Sequence, residues 1–475
     1  MLDKSIAEFC VQLAERLGAS YAEARLENSY GDGYALRNGI PEPSGFSEDT
    51  GIGIRVIVNG SMGFASTNKL DKPSIKQLVV NAVNSAKQAS RINKNKIIFL
   101  KEKAYRDQFV RKQKISFKTI SPKQKINYLQ SVDKALLDLK NIKIPQRIFS
   151  VSNSVEKKYF VNSDGSKVYQ ETPYFNFLYV INVKDGSKNV QDYLEFTETK
   201  GWEAASSIRI IPKLIEKARS LQLNLKKGIP APKEKVDVIV SPTVAGIIAH
   251  ESCGHPYEAD RIFGREAAQA GESFVTPAMI GTRIGTDVVN LVDDPTLPGR
   301  AGSYKYDDEG VLGRRKWLIK KGIITEFIHN RETAAKMGLH SNGSSRAVAY
   351  SYEPILRMSN TYFMPGSWKE DELIKDTKKG VYIKSFTEWN IDDKRFNFKS
   401  VGNDAFMIRN GKLAEPVRTP AIELTTPQIY SSIDALTKKV QLDAGTCGKG
   451  EPTQGIPVTF GGPHFRMRGI KLGRK

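Results

Sequence analysis

The chain has 475 residues, 40% of them hydrophobic and 26% charged, a balance that excludes a disordered polymer and exceeds what one hydrophobic core absorbs, so two or three domains are expected. The 72 Lys and Arg against 52 Asp and Glu leave a formal charge of +20, which invites a nucleic-acid partner. The lysines are scattered, however, and their densest groups, at 94–96 and 101–114, lack the regular aromatic interleaving of a base-stacking platform, so nucleic acid is not the expected partner.

Three cysteines, Cys10, Cys253 and Cys447, are too few and too odd in number for a disulfide framework, and they fit a reducing compartment. Met1 to Lys4 leads into an amphipathic helix rather than an apolar run, and no segment approaches about eighteen uncharged apolar residues. Neither a secretory signal nor a membrane span is expected, and the protein reads as soluble and cytoplasmic.

In chain order, Ile6, Phe9, Cys10, Leu13 and Leu17 mark a first helix that stops at Gly18. Short strands are expected at Tyr21–Leu26, Gly33–Arg37 and Gly51–Val58, the last turning at Asn59-Gly60 into a hairpin with Met62–Ser66. A helix from Pro73 to Ala89 follows, and then a lysine-rich stretch, Arg91–Lys118, expected as an exposed connection or flap. Another helix runs from Pro122 to about Leu139. Antiparallel strands are expected at Arg147–Ser154, Glu156–Val161, Lys167–Val183 and Asn189–Phe196, before a helix at Pro212–Leu221. The Gly, Pro and Lys content of Leu225–Lys235 marks the preferred boundary. The fold class is α+β: a mixed α/β region over 1–228, with a possible internal break near 91–121, precedes a strand-rich domain over 229–475. No catalytic cluster lies in the first region, which is expected to clamp substrate or partner.

The second region opens with Val236–Val240, a β-branched run typical of a buried strand, followed by Ser241 as a helix N-cap and Pro242 at the first helical position. Val244, Ile247 and Ile248 recur at helical spacing. The helix then carries His250-Glu251-Ser252-Cys253-Gly254-His255. Two imidazoles beside a glutamate are the donors and the base of a zinc hydrolase. The histidines are five apart rather than four, which on a regular helix turns them about 140° from each other. Both can hold one ion only if the helix widens into a π-turn or breaks at Gly254, and Pro256 favours a termination there. The other readings are surface histidines at a helix end and, for Glu251, a salt bridge at that end.

Beyond this helix, strands are expected at Ile284–Leu291, Gly310–Lys320, Ile323–Ile328, Tyr352–Tyr362, Gly380–Phe386, Phe396–Ile408 and Lys412–Thr425, forming a curved or barrel-like sheet against the metal-binding helix. A helix near Thr426–Val440 precedes Asp443-Ala444-Gly445-Thr446-Cys447-Gly448, whose small residues allow close approach to a metal. Read alone, Cys447 is either a ligand or a buried small hydrophobe; Cys253, His464 and His329 are the rival third ligands. His329 and His340 otherwise read as surface or packing residues. Asp307-Asp308-Glu309 reads either as a solvated acidic turn or as a device that orients a histidine ligand. The stretch from Arg357 to Tyr362, after the flexible Asn342–Ser345, is an expected exposed edge on which an extended peptide adds by main-chain pairing.

The HESCGHPYEAD block, with Gly302–Tyr304 leading to Asp307–Gly310, Arg357–Thr361 and Gly445–Gly448, resembles the TldD/PmbA family, in particular its metal-bearing TldD type, and the resemblance runs along nearly the whole chain. It implies a zinc metallopeptidase acting on small, largely unfolded polypeptides. His250, His255 and Cys447 are the implied Zn2+ ligands and Glu251 the catalytic carboxylate that activates water on the metal. It also implies a homodimer, or a heterodimer with a metal-free PmbA- or TldE-like paralogue. The alternative is a non-catalytic peptide-binding or regulatory subunit whose metal is structural.

Overall fold

The computed structural model describes residues 2–264 and 271–474. Helix α1 (Lys4–Arg16) is capped by the Asp3 carboxylate and buries Ala7, Cys10, Val11 and Ala14. The polar stretch Glu27–Asp32 suggests a loop, yet β1 runs unbroken over Tyr21–Arg37, because neighbours on both sides satisfy its backbone. After the short β2 (Ile40–Pro41), β3 (Gly45–Val58) and β4 (Ser61–Thr67) form the expected hairpin. Asn59 and Gly60 take positive φ values of 50° and 72° in its turn, the conformation for which that pair is selected. Asp71 caps α2 (Lys72–Ile92).

The expected flap is partly ordered, since β5 (Arg106–Val110) pairs in parallel with a later strand. Ser121 and Gln124 close a capping box on α3 (Pro122–Leu137). The sheet continues with β6 (Lys143–Asn162), β7 (Lys167–Asp185) and β8 (Lys188–Glu198); β6 is again one strand where two were expected. The short α4 (Ala204–Ser207) and α5 (Ile210–Lys227) lead to β9 (Ile229–Pro230), β10 (Val236–Val240) and α6 (Pro242–Ala249).

Several expected C-terminal strands shrink to fragments. Only Leu291–Asp293, Lys316–Lys320, Ile323–Ile324, Ser345–Arg346, Ile355–Leu356 and Asn360–Phe363 are strand between 284 and 363. The apolar residues there are buried as expected, but much of the backbone is held by side chains instead of ladders: Asp293 accepts from Ser359 N, Asp307 from Ser345 N, and Asn342 from His329 N. The last helix ends at Ser432, and Cys447 lies on the strand Gln441–Lys449.

Two large open sheets result, of fourteen and nine strands, beside a two-stranded pair of Ser345–Arg346 with Ile355–Leu356 among the described residues. The larger one starts with the short C-terminal strands, continues through Asn360–Phe363, Gln454–Gly462 and Gln441–Lys449, and passes into β8, β7, β6, β1, β3 and β4. Its seam is narrow: among the described residues Ala444 opposite Glu195 is the one register pair between the two halves. In the small sheet, β10 lies between Lys379–Ile391 and Phe465–Ile470. The end strands of neither sheet pair with each other, so the barrel-like expectation is corrected. The exposed-edge expectation fails as well, because Asn360–Phe363 is buried throughout and flanked by strands on both sides.

Helix α6 touches strands of both sheets and is apolar on all sides, as a helix between two layers must be. The acidic turn is buried rather than solvated, and among the described residues its carboxylates bond to none of the histidines. Asp308 pairs with the partly buried Lys158 at 3.2 Å and Glu309 with Arg55 at 2.8 Å, both buried, which fastens the C-terminal loops to the N-terminal sheet. Among the described residues no helix is long and apolar enough to cross a membrane.

The core over β6 to β8 is aromatic: Phe177 is fully buried and lies 6.5 Å from Phe149, 6.4 Å from Phe196 and 5.9 Å from Tyr128 between ring centroids. Phe177→Ala is expected to cost about 3–5 kcal/mol, read as a lowered urea midpoint; an unchanged midpoint would mean that this core is not cooperative with the rest.

Candidate metal centre

The strand-to-helix turn into α6 is built locally: Ser241 Oγ accepts from Val244 N and Pro242 occupies the first turn. At His250 the helix widens into one π-turn, His250–Gly254, in which His255 N–H donates to the His250 carbonyl. Residues five apart thereby become consecutive rungs of one helix face. The two rings stand edge to face, 4.8 Å between centroids. Close packing fixes this turn from outside: a Cβ on Gly254 would sit 1.7 Å from Met358 Sδ, and one on Gly246 2.7 Å from the Phe460 ring.

Cys447 arrives from the strand Gln441–Lys449, positioned by Arg357, whose buried guanidinium donates to the Cys447 and Gln454 carbonyls. One donor atom each from His250, His255 and Cys447 lies within 4.8 Å of the others, and all three residues are buried. Cys447 Sγ is 3.5 Å from His255 Nε2. Tetrahedral zinc with bonds of about 2.1 Å to nitrogen and 2.3 Å to sulfur separates such a pair by about 3.6 Å, so this thiol and imidazole have the spacing of two ligands of that ion. His250 Nδ1 is buried with no partner. Burial alone would push the Cys447 thiol up, but His255, Arg357 and His250 outweigh it and hold the thiol well below its ordinary value. Burial likewise lowers His250, yet the charges of Cys447, Glu251 and Glu258 raise it overall. Thiolate and imidazoles thus form a set that gathers positive charge.

Glu258, absent from the sequence reading, supports the cluster. Its Oε2 meets His255 Nδ1 at 2.9 Å and also Arg261 Nε at 2.8 Å, with Lys449 Nζ at 3.2 Å. Burial would raise its carboxyl, but Lys449, His255 and Arg261 keep it well below the usual carboxylate range. A bond at Nδ1 turns Nε2 toward the cluster and fixes the tautomer. The signal was present in HPYEAD, where a carboxylate stands three residues after the histidine.

Glu251 has both carboxylate oxygens engaged: Oε1 accepts from Trp389 Nε1 at 3.1 Å and Oε2 from Arg395 Nη1 at 2.7 Å. The helix-end salt bridge is therefore real, and it holds a carboxylate adjacent to a cluster residue. No local pattern announces these partners, which lie 138 and 144 residues away in the chain.

The rival ligands lie elsewhere. Cys253 points into the core, where burial pushes its thiol well above the ordinary value. His464 pairs with the Tyr382 hydroxyl at 2.8 Å. His329 is buried beside Thr333 and driven down to about 4 by burial, while His340 is exposed near Glu102.

Comparison with known proteins covers most of the chain. Residues 22–86 match PmbA/TldA metallopeptidase domain 1, 115–222 the PmbA/TldA central domain and 233–474 the PmbA/TldA C-terminal domain. A metalloprotease of Methanocaldococcus jannaschii is 31% identical over 93% of this chain and 94% of its own. A zinc metalloprotease TldD homolog of Saccharolobus solfataricus is 26% identical over 98% of both. The crystal structure of TldE from Thermococcus kodakarensis superposes with a TM-score of 0.77 at 18% identity, covering 98% of this chain and all of that one, which shows the fold.

Gly254→Ala forces Met358 out of a packed site and is expected to lose about 1–3 kcal/mol of stability together with bound metal, measured by denaturant titration and elemental mass spectrometry. Glu258→Ala should weaken metal binding by about 10- to 100-fold in competition with a chelator; unaltered affinity would show that His255 needs no such support.

Proposed function

This chain belongs to the PmbA/TldA metallopeptidase family, and we propose that it is a zinc-dependent peptidase of the TldD type that cleaves small, extended or unfolded polypeptides. In this reading His250, His255 and Cys447 hold the metal and Glu251 moves the proton. The observation that carries it is the convergence, from two distant segments, of two imidazoles and a low-pKa thiol within 4.8 Å of one another, the thiol and His255 at the spacing of two zinc ligands. Three protein ligands leave a fourth position open, which distinguishes a catalytic from a structural site. The Saccharolobus relative is a zinc metalloprotease by name, which supports zinc as the ion.

Zinc bound there supplies a Lewis acid and a water of lowered pKa. Glu251 accepts the proton of the attacking water and delivers it to the departing amine. Trp389 and Arg395 fix the carboxylate for this task, so that its orientation is set before substrate arrives. Glu258 keeps His255 in register. None of the four central residues is more than 7% exposed. A rigid folded loop would not reach them, whereas a single extended strand of peptide would, which supports unfolded substrates. The active assembly in this reading is a homodimer or a pair with a metal-free paralogue, as the resemblance to TldD implies.

The test starts from metal content. About one zinc per chain is expected in the purified protein, lost in His255→Ala and Cys447→Ala. Glu251→Gln should retain the ion while hydrolysis of an unfolded polypeptide falls by about 100-fold or more. A folded parent that takes up no zinc when it is resupplied overturns the proposal. Zinc retained without hydrolysis in the parent favours the non-catalytic subunit.

A further inference from the structure

A cleft of about 310 Å3 over the N-terminal sheet contains none of the four residues just discussed. Its floor is one face of β6, β7 and β8, and the loops 303–308 and 346–348 cover it. On the strand Gln441–Lys449 the side chain of Thr446 belongs to this cleft, bonding to Glu195. Cys447, the next residue, points to the opposite face, since successive strand side chains alternate. The cleft and the metal cluster are therefore back to back on one sheet.

Six charged side chains line the cleft, and four are consumed by the protein itself. Lys158 lies 3.0 Å from Glu156 and 3.2 Å from Asp308. Asp307 accepts the backbone N–H groups of Glu309, Val311 and Ser345 at 2.9 to 3.0 Å. Glu195 and Arg346 remain. Glu195 accepts from Asn176 Nδ2 at 2.7 Å, Thr197 Oγ1 at 2.9 Å and Thr446 Oγ1 at 3.1 Å, all neutral donors, and no cation within ion-pair reach is found among the described residues. Arg346 is 8% exposed. It donates from Nη1 to the Met358 carbonyl at 3.0 Å and lies 5.4 Å from the Tyr304 ring centroid, again with no carboxylate in reach among the described residues. A guanidinium offers five N–H donors, and burying it without an anion is costly.

We propose that this cleft is a second binding site, for short peptides with both termini free: the α-ammonium group meets Glu195 and the α-carboxylate meets Arg346. The three neutral donors aim the Glu195 carboxylate before a ligand arrives, and the unused face of the Arg346 fork matches a carboxylate in bidentate geometry. Hydroxyls of Ser152, Ser154 and Thr172 on the floor serve the amides between the termini. The volume is within the range of small-molecule sites. The choice of peptides among zwitterions rests on the peptidase reading; the charges do not.

The test is calorimetric titration of trialanine into the full chain carrying Glu251→Gln, so that the peptide is not consumed. Unblocked trialanine should bind, and N-acetylation or C-amidation should each weaken it by about 10- to 100-fold. Glu195→Gln should abolish the penalty of acetylation and keep that of amidation; Arg346→Gln should do the reverse. Stripping the metal with a chelator should leave the affinity unchanged. If either variant fails to fold, Glu195→Asp or Arg346→Lys is read in its place and should keep its penalty. Equal binding of free and doubly blocked trialanine, no binding at millimolar peptide, or binding that vanishes with the metal overturns the proposal, the last by placing the peptide on the ion. Hydrolysis is never read, so failure here leaves the role of Glu251 untouched, and failure of that role leaves this site standing.

Discussion

The hydrogen bond from His255 N–H back to the His250 carbonyl is the constraint on which the centre depends. It converts a spacing that would send two imidazoles to different faces into one that brings them edge to face. A widened turn is less favourable than regular helix, and it persists because its surroundings leave no alternative. Met358 occupies the space a side chain at position 254 would need, and α6 has both sheets against it. The bulge thus belongs to the tertiary structure, and the third donor comes from a strand nearly two hundred residues later, fastened by Arg357 to the same packing.

A second constraint is that this protein buries many charges and compensates them in pairs. Lys316 with Asp293, Arg55 with Glu23 and Glu309, and Lys449 with Asp260 and Glu258 are all nearly solvent-free. Buried pairs of this kind add little net stability but make wrong arrangements expensive, because breaking one strands a charge in apolar surroundings. Their placement follows that logic. Arg55 and Lys158 on the N-terminal sheet hold the loop 307–309, and Lys449 with Arg261 holds the carboxylate that orients His255. Registration between the halves and alignment of the metal ligands therefore rest on the same kind of bond.

What was legible in the sequence was local. The Asn59-Gly60 hairpin, the cap at Ser241, and the need for a π-turn or break between His250 and His255 all follow from neighbouring residues. Apolar content between 284 and 363 correctly indicated burial but not strands, because Asp293, Asp307 and Asn342 replace ladder bonds with side-chain bonds that periodicity does not register. The long strands β1 and β6 were split at polar stretches, since a strand with partners on both sides tolerates polar residues that an edge reading penalises. Cys447 was reached through resemblance, and the geometry now places it beside the histidines. Trp389 and Arg395 had no signal at all, being joined to Glu251 only by the hairpin that carries them back across the helix.

The strand Gln441–Lys449 links these features in one element. Because side chains alternate, a single register decides both that Cys447 faces the histidines and that Thr446 faces Glu195. A slip by one residue would exchange them, placing a hydroxyl among metal donors and a thiol in the polar cleft. Pairing with Gln454–Gly462 over nine residues, from Gln441 opposite Gly462 to Lys449 opposite Gln454, prevents that slip. Further locks act at both ends: Thr243 bonds to Asp443 at 2.6 Å, and Lys449 bonds to the Leu356 carbonyl at 2.8 Å. Among the described residues the one register pair of this strand with the N-terminal half is Ala444 opposite Glu195. The cleft residue Glu195 therefore sits at the seam of the large sheet, opposite a residue three positions from Cys447, and one strand register sets what each face of the seam presents.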